Sequence, residues 1–239
     1  MDGDGEELVY GVLLAAGSGS RFGQKKQYLQ LAGLPVWQRS FDALIQGGVD
    51  EVWLVIPRED EENVAEQVAG LKGIHVVVGG SSRSESVQAA LHSIAEGTST
   101  PGDAECVLVH DAARPFVSPE DIKAVIHDAT QTGGALLVQA CTDTVKRVNT
   151  YGLVEETLPR SELALAQTPQ AFCWGWMRDV YLAASSDLLA QATDDAWLME
   201  QAGKSVKVTL STQTNMKITR QTDWEYAEWL AKRRWGGGV

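Results

Sequence analysis

The sequence has few of the residues that hold small folds together covalently or through metals. Its three cysteines, Cys106, Cys141 and Cys173, lie far apart, and such an odd, sparse set fits neither a disulfide framework nor a CxxC metal site. The four histidines show no HxxxH pair or other metal-ligand spacing. A chain of 239 residues needs no such support, because it can bury about 70% of its unfolded surface.

Long apolar runs and an excess of basic residues are also missing. The longest apolar run, 8–16, is far shorter than the roughly 20 residues of a membrane span. The acidic start MDGDGEE resembles neither a secretory signal nor an Arg-rich transit peptide. With 20 basic and 32 acidic residues, the net charge is -12, which argues against a broad nucleic-acid surface. We therefore predict a cytoplasmic protein without nucleic-acid or membrane partners, in which a local basic pocket can still bind a phosphorylated small molecule.

Short apolar runs alternate with helical patterns in the first part of the chain. Near-continuous runs of this kind are typical of strands buried on both faces of a parallel sheet. The helical pattern at 86–95 follows three candidate caps, Ser81, Ser82 and Ser84, and that at 120–129 follows Ser118-Pro119. The predicted strands are 8–14, 52–56, 74–78, 107–109 and 135–138. This order predicts an α/β, Rossmann-like fold with a mostly parallel, doubly wound sheet flanked by helices.

The pattern changes near residue 140. Segment 141–158 alternates loosely and carries turn signals at Asn149 and Gly152, so we expect an extended arm or hairpin outside the main sheet. Helices are predicted at 174–189, 194–201 and 223–233, and a strand at 206–210. We expect one domain over 1–235, with 140–160 as the arm and 236–239 as a frayed tail.

The segment after the first strand combines small residues with cations. Ala15, Ala16 and Gly17 let backbone N–H groups approach a phosphate, and Arg21 with Lys25 or Lys26 supplies positive charge. The dinucleotide fingerprint GxGxxG is excluded by Phe22. A glycine-rich turn with solvated cations is the simpler alternative, but cations inside the loop favour phosphate binding.

Polar residues also follow the third and fourth strands. Gly79, Gly80 and Ser86 belong to an N–H-rich turn before a helix, although serine-rich helix caps are common. Asp111 ends the fourth strand, where a carboxylate is well placed for Mg²⁺ already bound to phosphates. Capping a turn and pairing with Arg114 are alternatives that the spacing does not separate.

The second half offers further candidates for phosphate binding. Thr144 and Arg160 lie on the apparent arm, and Thr168 and Lys217 lie in later polar clusters. Arg and Thr in loops of an acidic protein suit a substrate phosphate. Solvated surface charge is the alternative.

Eight motifs in order resemble the 2-C-methyl-D-erythritol 4-phosphate cytidylyltransferases, nucleotidyltransferases of the non-mevalonate isoprenoid pathway. The resemblance runs from about Val9 to about Ala227. It implies a fold with a protruding β-arm that builds a homodimer, and cytidylyl transfer from CTP to methylerythritol phosphate with Mg²⁺. The motifs are LLAAGSGSRFG, KQYLQLAGLPV, VVVGGSSRSESV, VLVHDAARPF, TDTVKRV, LPRSELALAQTPQAF, TDDAWLMEQAG and NMKIT.

The resemblance also assigns roles to individual residues. Arg21 and Lys26 match residues that stabilise the transition state, and Asp111 matches the Mg²⁺-binding aspartate. The residues that match contacts to the cytidine nucleotide are Ala15, Ala16, Gly17, Gly79, Gly80 and Ser86. The residues placed on the substrate side are Asp111, Arg114, Thr144, Arg160, Thr168 and Lys217, with Thr144 and Arg160 reaching the site from the partner's arm.

One departure from the family pattern concerns the loop that ends at the lysine. The family usually has a longer loop and a proline before the KQ lysine, whereas here Gly23-Gln24-Lys25-Lys26 is short. Alignment on KQYL favours Lys26, and Lys25 stays as the alternative.

Two other functions are compatible with these motifs. A ribitol 5-phosphate cytidylyltransferase shares the fold and most of the pocket, but relatives of that kind tend to carry valine at the position of Ala113. A non-catalytic nucleotide-binding domain is the alternative of a different class. The joint presence of five residues speaks against it, since a binding-only domain does not need them all: Arg21, Lys26, Asp111, Arg160 and Lys217.

Overall fold

A computed structural model describes residues 7–17, 19, 22–97 and 101–236. Its strands are β1 (Val9–Leu14), β2 (Gln30–Leu31), β3 (Leu34–Pro35), β4 (Glu51–Ile56), β5 (Ile74–Val78), β6 (Cys106–Asp111), β7 (Gly134–Ala140), β8 (Val145–Val148), β9 (Val154–Leu158), β10 (Ala164–Cys173) and β11 (Lys207–Leu210). Its helices are α1 (Val36–Gln46), α2 (Glu61–Val68), α3 (Arg83–Ala95), α4 (Pro119–Thr132), α5 (Trp174–Ala183), α6 (Ser186–Gln191), α7 (Asp195–Gln201) and α8 (Gln221–Trp235).

Seven of the described strands form one sheet in the order β11-β7-β10-β6-β1-β4-β5. β1 is parallel to β4 and β6, β4 to β5, and β11 to β7, whereas β10 is antiparallel to both its neighbours. The predicted mostly parallel sheet is confirmed. The chain builds outward from β1 through β4 and β5 and then returns to its other side with β6. Such a reversal leaves a crevice at the carboxyl ends of the strands.

Helices cover both faces of the sheet because successive strand residues point to opposite sides. In β1, Val9 and Leu13 pack in the layer that contains α1, α2 and α4. Tyr10 and Val12 pack in the opposite layer, with α3, α5, α6 and α7. Helix α8 lies in a separate apolar cluster that includes Phe22. Apolar side chains therefore pack against both faces of the sheet.

The strand β10 is missing from the predicted set. The sequence analysis placed Thr168 in a polar cluster and predicted no strand there. The neighbouring Pro169 also lacks the N–H that a central strand uses. The register of β10 against β7 shifts between Ala166 and Gln170, so Pro169 lies at an irregularity of the pairing. β10 is nevertheless central in the sheet, between β6 and β7.

The structure corrects one predicted helix and identifies the cap of another. The helix predicted at 174–189 is two helices, α5 and α6, because the Ser185 hydroxyl accepts a hydrogen bond from the Leu188 N–H and starts a new helix. The cap of α3 is Ser82, whose hydroxyl accepts from the Glu85 N–H, and Ser84 lies inside the helix. The predicted cap Ser118 of α4 is confirmed.

The segment near residue 150 forms a ribbon apart from the main sheet. β8 and β9 pair antiparallel with each other, which confirms the predicted hairpin. In the predicted tail, Gly236 follows α8, and 237–239 lie outside the described residues. No described helix has the length and apolar character of a membrane-crossing helix.

Candidate functional site

A cavity of about 430 Å³ lies at the carboxyl ends of β1, β5 and β6. The segments 15–17, 80–83 and 111–113 line it, together with Lys26, Gln27 and Lys217. Three segments that the sequence analysis selected separately therefore meet at one site. The parallel topology causes this meeting, because it brings the carboxyl ends of β1, β5 and β6 to one edge of the sheet.

The loop after β1 is held by its neighbours. The Ala15 N–H donates to the Val55 carbonyl (2.8 Å). The side-chain amide of Gln27 donates to the Ala15 carbonyl (2.8 Å) and the Gly17 carbonyl (3.0 Å). Gln27 is 4% exposed and was not among the predicted site residues. Its only sequence signal is its place beside Lys26 in KQY.

Gly79 lets the loop after β5 come close to the loop after β1. A Cβ atom at Gly79 would lie 2.7 Å from Ser86 Oγ and 2.9 Å from the Ala16 Cβ atom. These distances are too short for a real side chain, so the two loops approach this closely only with glycine at this position. A Cβ atom at Gly80 would lie 2.3 Å from Glu85 Cβ, so glycine is needed there to turn the chain into α3.

The two adjacent lysines have different surroundings. Lys25 Nζ lies 2.7 Å from Asp60 Oδ1 and 3.0 Å from Glu59 Oε1, and these hydrogen bonds raise its pKa. Lys26 instead lines the cavity. The geometry therefore favours Lys26 over Lys25 as the cation of the site. Arg21, the other predicted catalytic residue, lies outside the described residues.

Asp111 is surrounded by positive charge. Lys217 Nζ lies 2.7 Å from its Oδ2 atom, whereas Arg114 Nε is 3.8 Å from Oδ2 and Arg83 Nε is 3.9 Å from Oδ1. Burial by itself raises the pKa of Asp111, but Lys217 and Arg83 outweigh burial and lower the pKa to about 2. The carboxylate is therefore ionised at neutral pH. Its main partner is Lys217 rather than Arg114, which the sequence analysis considered as one alternative.

A chain of hydrogen bonds fixes the backbone at Asp111. His110 is fully buried, and burial lowers its pKa to about 4, so it is neutral at pH 7. Its Nε2 atom lies 3.2 Å from the Arg114 carbonyl and must donate, which leaves Nδ1 to accept from the Thr168 hydroxyl at 3.0 Å. The same hydroxyl oxygen accepts from the Asp111 N–H at 3.0 Å. Thr168 thus holds Asp111, and it is only 4% exposed.

Arg83 is a cation of the cavity wall that the sequence analysis missed. Its Nη2 atom lies 2.7 Å from Asp195 Oδ2, and the Tyr181 hydroxyl donates to Asp195 Oδ1 at 2.5 Å. Asp195 is completely buried. Arg83 is also the first residue of α3, where a positive charge opposes the helix dipole. A cation at a helix N-terminus was the sequence signal that could have identified Arg83, since residues that break such local rules concentrate at functional sites.

Other predicted residues lie beside the cavity or apart from it. Arg114 donates to the Asn215 carbonyl (2.8 Å), and Asn215 donates to the Thr168 carbonyl (2.8 Å), so Arg114 helps to hold the segment that leads to Lys217. Thr144 precedes β8 and Arg160 follows β9. Neither residue lines this cavity. Arg160 Nη1 donates to the Thr142 carbonyl at 2.7 Å.

The donor set decides what kind of metal the site suits. Among the described residues, no group of three or more His, Cys, Asp or Glu side chains could hold a metal ion. Mg²⁺ bound to nucleotide phosphates requires only one or two protein carboxylates. Asp111 therefore fits a Mg²⁺ ion that arrives with phosphates.

Known proteins match the whole chain in sequence and in fold. The family model described as 2-C-methyl-D-erythritol 4-phosphate cytidylyltransferase matches residues 9–233. An enzyme of that name from Pelotomaculum thermopropionicum is 39% identical over 237 residues, which cover 96% of this chain and 97% of that protein. A bifunctional enzyme IspD/IspF from Rhodopseudomonas palustris is 41% identical over 217 residues, and the match spans 53% of its length.

Solved structures agree with this match. The crystal structure of 4-diphosphocytidyl-2C-methyl-D-erythritol synthase from Anaerococcus prevotii superposes with a TM-score of 0.80 at 28% identity. The superposition covers 95% of this chain and 99% of that one. The similarity therefore includes the sheet, the helices and the edge that carries the cavity.

Proposed function

The chain belongs to the 2-C-methyl-D-erythritol 4-phosphate cytidylyltransferase family, and from this premise we propose that its cavity transfers a cytidylyl group from CTP to 2-C-methyl-D-erythritol 4-phosphate. The products are 4-diphosphocytidyl-2-C-methyl-D-erythritol and pyrophosphate, in the synthesis of isoprenoid precursors. One observation carries the proposal: Lys26, Arg83, Lys217 and Asp111 converge in one cavity with the glycine-containing loops.

The acceptor phosphate is its own nucleophile in this reaction. The second pKa of a phosphomonoester is about 6, so the group is mostly dianionic at neutral pH. One of its oxygens attacks the α-phosphorus of CTP in line, and pyrophosphate leaves. No general base is required, which agrees with the buried, neutral state of His110. The protein's task is to bring two polyanions together and to stabilise the charge that develops.

Cations beside the loops would perform that task. Lys26 lies in the cavity wall and would stabilise the transition state, together with Arg21, whose role rests on the sequence resemblance. Lys217 would contact the acceptor phosphate, and its ion pair with Asp111 keeps its ammonium group at the site. Mg²⁺, held by Asp111, would neutralise phosphate charge when bound.

Backbone and hydroxyl groups of the two loops would bind the nucleotide. The approach of Gly79 to Ala16 and Ser86 makes one continuous surface of them. The residues proposed for this role are Ala15, Ala16, Gly17, Gly79, Gly80 and Ser86. Thr168 and Arg114, which were placed on the substrate side, would act by holding Asp111 and the Asn215 segment. The Thr168 hydroxyl accepts from the Asp111 N–H, and Arg114 Nη1 donates to the Asn215 carbonyl.

We propose that a second copy of the chain completes the site. Thr144 and Arg160 lie on the arm, which does not reach this chain's own cavity. An isolated two-stranded ribbon is only marginally stable in water, and this one exposes Val148, Leu153 and Val154 by 56%, 64% and 61%. Packing against a partner subunit would cover these side chains and bring Arg160 to the partner's cavity. We place this dimer in the cytoplasm, since Cys106, Cys141 and Cys173 are all free thiols.

Pyrophosphate release tests the reaction. Purified protein with CTP and Mg²⁺ is offered 2-C-methyl-D-erythritol 4-phosphate in one reaction and ribitol 5-phosphate in another. We expect release with the first acceptor alone, as Ala113 in the cavity wall also favours. Release with ribitol 5-phosphate alone would contradict the choice of acceptor, and CTP binding without release from either would indicate a non-catalytic nucleotide-binding domain.

A further inference from the structure

The side-chain amide of Gln27 is committed to the backbone of the loop after β1. Its Nε2 atom lies 2.8 Å from the Ala15 carbonyl oxygen and 3.0 Å from the Gly17 carbonyl oxygen. A primary amide has two N–H donors, and both are used here on one loop. Gln27 lies in the 3-10 turn Lys26–Tyr28, is 4% exposed and carries no charge. This arrangement ties the loop to the turn that also carries Lys26.

The hydrogen bonds from Gln27 determine the direction of the backbone N–H groups in the loop. In a trans peptide the carbonyl and the following N–H point to opposite sides. Holding the Ala15 carbonyl against Gln27 therefore turns the Ala16 N–H away from Gln27. That N–H has no backbone acceptor among the described residues, and Ala16 lines the cavity. Gln27 thus sets the direction of a backbone donor in the cavity wall.

We propose that Gln27 is a positioning residue for CTP, and this proposal rests on the proposed function. A glycine-containing loop loses affinity when it must become ordered as the ligand binds. The two hydrogen bonds from Gln27 hold the loop in its ordered form before CTP arrives. Since Gln27 would act on the loop and not on the reacting atoms, it should influence CTP binding much more than the chemical step or the binding of the acceptor.

The substitution Gln27→Met tests this role, because methionine has a similar length and no N–H donor. We expect the Kd and the KM for CTP to rise about tenfold, the effect of losing one to two net hydrogen bonds. The KM for the acceptor and kcat at saturating CTP should stay within about threefold of wild type. Calorimetry with CTP and Mg²⁺ gives the Kd without turnover. Gln30→Met, at the exposed first residue of β2, is the matched control and should change neither quantity.

A second variant covers the case in which Gln27→Met does not fold. Gln27→Glu keeps the shape but removes the donors, and Gln30→Glu controls for the added charge. An unchanged Kd for CTP in a folded Gln27 variant would overturn the proposal. So would equal losses in CTP affinity, acceptor affinity and kcat, which indicate general disruption of the site. If the wild type binds CTP but releases no pyrophosphate, the proposed reaction fails, while the Kd comparison still decides the role of Gln27.

Discussion

At the scale of single residues, neighbouring side chains of the same type have different tasks because of their surroundings. Lys25 is engaged by Asp60 and Glu59, while Lys26 lines the cavity. The sequence analysis left both lysines open, since side-chain direction within a short loop depends on which acidic residues approach it. Asp60 and Glu59 come from a segment more than thirty positions later, so no local pattern identifies the pair.

The two lysines form a matched test of the proposed mechanism. We expect Lys26→Ala to lower kcat about 10²- to 10³-fold, as the loss of a group that stabilises transition-state charge does. Lys25→Ala should leave kcat within about threefold of wild type and cost about 1 kcal/mol of stability, since it loses ion pairs to the exposed Glu59 and the partly buried Asp60. Steady-state kinetics and urea unfolding of both variants measure this. Similar losses of kcat in the two variants would contradict the assignment of Lys26.

At the scale of secondary-structure elements, periodic patterns predicted most strands and helices, and the caps set their ends. The exceptions are the break between α5 and α6, the strand β10, and four elements for which no prediction was made: α1, α2, β2 and β3. Ser185 carries a cap signal, but the apolar pattern continues across it. β10 contains Pro169, and only its placement between two strands that supply hydrogen bonds makes it a strand.

The edge strand β11 is tied to α4 by one carboxylate. Asp128 accepts from Lys207 Nζ at 2.6 Å and from the Thr209 hydroxyl at 2.7 Å. The hydrogen bond from Lys207 is the main cause that lowers the pKa of Asp128 in the fold, against the opposing effect of desolvation. A group whose pKa is lower in the folded state stabilises the fold above its unfolded pKa, about 4, and loses this effect as the pH falls through the folded value.

Asp128→Asn should therefore lower the urea midpoint at pH 7 and lower it less as the pH falls below about 4. Urea unfolding of wild type and variant between pH 7 and the acid limit of folding measures the difference. Asp143 is exposed on the arm, so Asp143→Asn is the control and should not change the urea midpoint. A difference for Asp128→Asn that grows toward acid pH would show the opposite sign and disprove the role of this carboxylate.

At the scale of the whole molecule, the cavity combines residues from one chain. The proposed dimer adds residues from the arm of a second chain. Lys26 belongs to the cavity of its own chain, and Arg160 lies outside that cavity, on the arm side. In a symmetric dimer each arm would serve the other subunit's cavity. Because Lys26 and Arg160 would then come from different chains at each site, two inactive variants should restore activity when mixed. A site built within one chain would show no such recovery.

We expect Lys26→Ala and Arg160→Ala each to be nearly inactive alone and to regain activity when mixed. Half of the dimers then contain both chains, and each such dimer has one intact site, so activity should reach about a quarter of wild type. Pyrophosphate release after mixing and re-equilibration measures it, with light scattering to establish the dimer. Absence of any recovery in a confirmed mixed dimer would contradict a site shared between subunits.

Apolar periodicity, glycines and helix caps are local signals, so the sequence alone was enough to predict six of the seven strands of the sheet. It also predicted the loops at their ends and many candidate residues of the site. Tertiary structure decided which of these residues meet. The Lys217–Asp111 pair joins residues 106 positions apart, and the Arg83–Asp195 pair joins residues 112 positions apart. Such contacts depend on strand order and on burial, because a buried carboxylate is stable only with the partners that the fold brings to it.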